Sequence, residues 1–130
     1  MPLNLPDNKS VQYFISAIDD HGLDGASLLS GQTVAVASAD PATVVLTPDA
    51  TPKNAPDGTP SIASGVASSA NPVGSPNKPI ALTSHISNAD GSPGTTDGTS
   101  TGTLIPDATD TITIVPGSVK TEGILFGVPA

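Results

Sequence analysis

Cysteine is absent from this 130-residue chain, and so are tryptophan and arginine. Without cysteine there is no disulfide, no thiolate metal ligand and no thiol nucleophile. Tyr13, Phe14 and Phe126 are the only aromatic residues, so a core has to be packed from Val, Ile, Leu and Ala. The basic residues are Lys9, Lys53, Lys78 and Lys120, far apart and set against a net charge of −8. Nucleic acid is held by neutralising its phosphates with Lys and Arg, and an anionic membrane surface is held in the same way. Neither partner is expected for this chain. No stretch approaches the roughly 20 apolar residues of a membrane-spanning helix. The opening Met1-Pro-Leu-Asn-Leu-Pro lacks the basic and apolar regions of a secretory signal, so none is expected.

What the chain has in quantity is Pro, Gly and Ser, together roughly a third of it, a level that warns of disorder. Two features oppose disorder. Leu, Ile, Val and Phe reach roughly 23%, above the disordered range, and they cluster in short alternating runs. A length of 130 residues fits one domain with a core of its own.

The runs read as strands fenced by Asp, Pro and Gly. Val11 to Ile18 places Val11, Tyr13, Ile15 and Ala17 on one face, and Asp19-Asp-His-Gly22 then turns the chain. Gln32 to Ser38 carries Val34 and Val36 on one face, and Thr43 to Thr47 is a nearly continuous apolar run that predicts burial on both sides. Pro48 to Pro60 is a Pro-rich loop. Ser61 to Ala67, around Gly65, predicts a weak edge or bulged strand. Pro79 to Ile86 points Ile80, Leu82 and Ile86 inward and Thr83 and His85 outward. Asn88 to Gly102 is the longest polar loop, Thr103 to Ile105 is a short piece, and Asp110 to Val115 alternates Ile with Thr. No ten-residue segment holds helical periodicity free of Pro and Gly. About seven to eight short antiparallel strands at this spacing predict an all-β sandwich.

Three segments carry a resemblance. Ser38-Ala-Asp-Pro-Ala-Thr-Val44, Asn88-Ala-Asp-Gly-Ser92 and Asp110-Thr-Ile-Thr-Ile-Val-Pro-Gly117 resemble bacterial immunoglobulin-like (Big-type) modules, found in bacterial surface proteins and on phage virions. The likeness runs roughly from residue 11 to 117. It implies an immunoglobulin-like β-sandwich over 11–117, an extended N-terminal arm over 1–10, and a C-terminal strand or arm over 118–130. It is a likeness of fold alone, since the buried Trp and inter-sheet disulfide of antibody domains are missing. The role it implies is structural, that of a phage capsid decoration protein made in the host cytoplasm and carried on the capsid exterior. Its partners would be the major capsid protein or other virion subunits, or further copies of itself. A bacterial surface or extracellular binding module is the alternative.

No constellation points to catalysis, a cofactor or a metal. Ser75-Pro-Asn-Lys78 has the Ser-x-x-Lys spacing of serine acyl-enzymes, but that chemistry needs a helical turn that Pro76 and Pro79 forbid. His21 and His85 lack partners at metal spacing and are expected in a turn and on an outward strand face. Asp19, Asp20 and Asp24, like Asp107 and Asp110, are better suited to capping turns than to calcium. The candidate contact residues are apolar and lie near the ends of the chain: Leu3 and Leu5 on one side, and Ile124, Leu125 and Phe126 on the other. The second group is also readable as a last strand. Apolar arms of this kind bind by strand addition or by filling a partner's groove.

Overall fold

Alternation with a period of two decides the architecture, because each strand needs only one face covered. The computed structural model describes residues 2–118, 122–124 and 126–129, and among them it holds seven strands and no helix. These are β1 (Leu3–Pro6), β2 (Ser10–Ile15), β3 (Thr33–Ser38), β4 (Val44–Pro48), β5 (Ala63–Ser69), β6 (Pro79–Ser87) and β7 (Ala108–Val115). They form two sheets, ordered β1-β7-β6-β3 and β2-β5-β4, which make a β-sandwich. Every pairing is antiparallel except β1 with β7, which is parallel, Leu5 lying opposite Ile114.

The core lies between the sheets. Ile80, Ile112, Ile114 and Leu5 come from one sheet, and Val44 and Ala67 from the other. Val11, Leu46, Val73 and Leu82 pack against this cluster. Ile112 and Ile114 face inward as their alternation predicts, and Ile80 does the same on β6. The Val44–Leu46 run behaves differently from expectation. Val44 is buried but Val45 is exposed, because β4 is an edge strand of a sheet covered on one face.

Two further expectations are corrected by the sheet. Residues 1–10 are not wholly an arm: Leu3–Pro6 is a strand, and Leu5 is only 4% exposed. The short alternation of Leu3 and Leu5 suffices for a strand once β7 offers an open edge. The segment around Gly65 is not an edge either. β5 is the central strand of its sheet. A Cβ on Gly65 would stand 2.5 Å from the Tyr13 hydroxyl and 2.6 Å from the Thr47 carbonyl oxygen, so glycine is what lets both neighbours close in.

The seven elements have two sets of connections. Residues 7–9, 39–43 and 70–78 turn at one pole; residues 16–32, 49–62 and 88–107 turn at the other. The Ser38–Val44 segment is a corner between the two sheets. Asp40 accepts from the Ala42 backbone N–H and from the Thr43 hydroxyl, while its carbonyl accepts from the N–H groups of Thr43 and Val44. Buried Thr43 then accepts from the Ser75 N–H, tying this corner to the 70–78 turn.

Leu5→Ala separates a core strand from a free arm. It is expected to cost about 2–5 kcal/mol in urea unfolding, as loss of a buried leucine side chain does; an arm outside the body would leave stability unchanged.

Candidate functional site

Asx turns build the second pole. Asp57-Gly-Thr59, Asp90-Gly-Ser92 and Asp97-Gly-Thr99 share one arrangement, in which the Asp Oδ1 accepts the backbone N–H two residues on at 2.9 Å. Each intervening glycine sits at positive φ, where a side chain would be strained. Sequence reading marks each Asp-Gly as a turn; the recurring Thr or Ser in third place is the signal it missed. Hydrogen bonding from Thr59 (backbone first), Ser92 (hydroxyl first) and Thr99 (backbone first) holds the carboxyls of Asp57, Asp90 and Asp97 below the usual aspartate range.

A buried amide locks the two longest loops together. Asn88, 3% exposed, donates to the Ser92 hydroxyl, the Pro93 carbonyl and the Thr95 hydroxyl at 3.1–3.2 Å. Its Oδ1 accepts from Gln32 Nε2 at 3.0 Å and from the Thr95 N–H at 3.1 Å. Gln32 also donates to the Thr95 carbonyl and accepts from the Leu29 N–H, 3.0 Å each. The amide pair thus joins loop 16–32 to loop 88–107, and a side chain with both donors and acceptors is required for it. Among the described residues, no buried side-chain nitrogen or oxygen lacks a partner.

Between these loops lies an open cleft of about 690 Å³. Ile18, Leu29, Ile62, Ile86, Leu104 and Ile105 give it an apolar wall, with Asp19 and Asp20 on its border. Ile18 and Leu104 are 65% and 63% exposed, and Leu23, in the same loop as Ile18, is as open. A cavity of this size falls within the range of binding pockets.

The residues singled out in the sequence fall in several places. Leu5 is in the core and Leu3 is partly exposed on β1. Ile124 and Phe126 are 85% and 89% exposed, and Val128 is 96% exposed; Leu125 lies outside the described residues. The reading of Ile124 to Val128 as a last strand is not met, since the described residues of that segment join neither sheet. A run of apolar residues broken by Gly123 and Gly127 can form a strand, but sequence alone does not say whether a free edge awaits it. Ser75 and Lys78 lie in the 70–78 turn and not on a helix. His85 on β6 pairs with Asp107, the last residue of the loop before β7, Nδ1 to Oδ1 2.7 Å. His21 pairs with Asp20 in an exposed turn, 2.8 Å. Asp19, Asp20 and His21 bring ligand-type atoms within 4.8 Å of one another. Asp19 is already engaged there, accepting from the N–H groups of His21 and Leu23, which is turn chemistry.

Comparison with known protein families, with curated proteins and with solved structures finds no match for this chain. Its function has therefore to be argued from its own geometry.

Asn88→Ala leaves Gln32 and Thr95 facing a buried gap. The expected cost is about 2–3 kcal/mol in chemical unfolding, with faster amide exchange in both loops and little change in the strands. The pH profile follows from the three aspartates. A carboxyl held lower in the folded chain than its unfolded value of about 3.9 stabilises the fold above that value. The contribution is lost as pH falls through the folded value. Melting temperature is expected to hold level from neutrality to about pH 5 and to fall below about pH 4. The drop is shallower when Asp57, Asp90 and Asp97 are replaced together by Asn.

Proposed function

We propose that this protein is a structural component of a phage virion, a decoration protein bound to the exterior of the capsid shell. The observation that carries this reading is the placement of its exposed apolar surface. Ile18, Leu23, Leu29 and Leu104 cluster at one pole, and Ile124, Phe126 and Val128 follow the last strand, which ends at the other. A sandwich with exposed apolar residues in a loop cleft and beyond its last strand is suited to joining neighbours. Contacts of that kind, repeated by particle symmetry, give high total avidity from weak single contacts. The net charge of −8 keeps particles apart in solution.

The strand order supports the immunoglobulin-like part of the reading. If β1 to β7 are lettered A to G, the sheets become A-G-F-C and B-E-D. The immunoglobulin constant type has C-F-G facing A-B-E-D; here the first strand sits beside the last one instead. Under the same lettering, the apolar cleft lies among the B–C and F–G loops, the end that variable domains use for recognition. That favours a second reading, a surface or extracellular binding module whose cleft takes a protein ligand.

The test is recovery of the protein from purified particles. Stoichiometric copies in the particle proteome, and matching density on the outer shell by electron cryomicroscopy, are the expected result. Absence from particles, together with presence on a cell surface as part of a longer anchored chain, would overturn it in favour of the second reading.

A further inference from the structure

Two apolar surfaces stand exposed in this molecule, the cleft wall and the described residues that follow β7. β7 runs away from the cleft, since its first residue, Ala108, lines the cleft and Val115 ends beside Pro6. The chain then leaves at the far pole, where the Gly117 N–H donates to Asp7 Oδ1 at 3.0 Å. The segment that follows holds Ile124, Phe126 and Val128, which share one side when extended and stand 85–96% exposed. At that exposure they do not cover the cleft of their own copy; the cleft of a second copy can take them.

We propose that the apolar side chains Ile124, Phe126 and Val128 of one copy seat in the loop cleft of a second copy. The occupant is argued from the chain itself. The segment offers two large apolar side chains and a valine at alternate positions, and the cleft offers an unfilled apolar wall of about 690 Å³. The wall is held open by the Asn88–Gln32 amide bonds, so it is preformed, and a preformed site spares the cost of ordering. Charge does not drive the contact. The only charge within residues 122–129 is Glu122, and the cleft border carries Asp19 and Asp20. The association is therefore apolar and strengthens with added salt. Two copies that exchange segments close a pair, whereas one-way seating propagates into a ring or a filament. This inference stands apart from the particle reading, because it concerns only copies of this chain.

Sedimentation velocity on the full chain tests it with two variants. The first, Ile124→Asp with Phe126→Asp, has a spoiled segment and an intact cleft. The second, Leu104→Asp, has a spoiled cleft and an intact segment. The wild type is expected to grow in mass with concentration, and more so at high salt. Each variant alone associates at least about tenfold more weakly, as loss of a buried apolar anchor implies. Mixed together, they form pairs and stop there, since each retains one working end. A wild type that stays monomeric at the highest attainable concentration overturns the proposal. Variants that associate like the wild type, or a mixture that does not pair, also overturn it. Circular dichroism establishes that both variants fold. If Leu104→Asp does not, a peptide of residues 122–129 titrated into the first variant decides the matter by NMR. Shifts at Ile18, Leu29 and Leu104 uphold the contact; no shifts, or shifts along the β3 edge, refute it.

Discussion

Everything in this molecule rests on apposing two sheets across a thin aliphatic layer. Ile114, Ile112, Ile80 and Leu5 meet Val44 and Ala67, with no tryptophan and no disulfide to help. A layer of this kind has little volume to spare, so each strand has to contribute an inward residue. That is why β1 is part of the body. Without Leu5 beside Ile114, the four-stranded sheet would lose one edge strand and the core one of the six buried hydrophobic residues among those described.

Polar bonding does the work that bulk does in larger cores. Thr43 and Asn88 are buried polar residues whose bonds are all made, and each ties one loop to another instead of one strand to another. A buried polar group that is fully satisfied specifies a single arrangement. Asp40 with Thr43 sets the corner between the sheets at one pole, while Asn88 with Gln32 sets the cleft at the other. The Asp-Gly turns supply the tight reversals between. Part of the richness in Pro, Gly and Ser that reads as a warning of disorder is, in the folded chain, the material of these turns, Gly58, Gly91 and Gly98 among it.

How far the chain could be read in advance depended on how local each feature is. Alternation is local, so β3, β6 and β7 were legible from Val34 and Val36, from Ile80 and Leu82, and from Ile112 and Ile114. The sandwich followed from their number and spacing. Pairing is not local. Nothing near Leu3 says that β7 has an open edge, and nothing near Gly65 says that strands lie on both sides of it. Val45 faces outward for the same reason, since a run of three apolar residues cannot show which sheet edge it occupies. The cleft was the least legible feature. Ile18, Leu29 and Leu104 are far apart in sequence, Ile18 read as the end of a strand and Leu104 as part of a short piece, and they line one cleft between loops that the Asn88–Gln32 bond joins. The trailing apolar residues Ile124 and Phe126 were visible at once as candidates for contact, because apolar side chains among glycines stand out in any setting.

The parallel pairing of β1 with β7 has a temporal consequence. It joins the two strands furthest apart in the chain, so on the ribosome the first strand emerges long before its mate exists. Loops that long close slowly, and topologies dominated by distant pairings fold late. Until then Leu5 and the inner face of β6 wait uncovered. Maturation of this protein is therefore an event of the whole chain, completed when its last strand arrives.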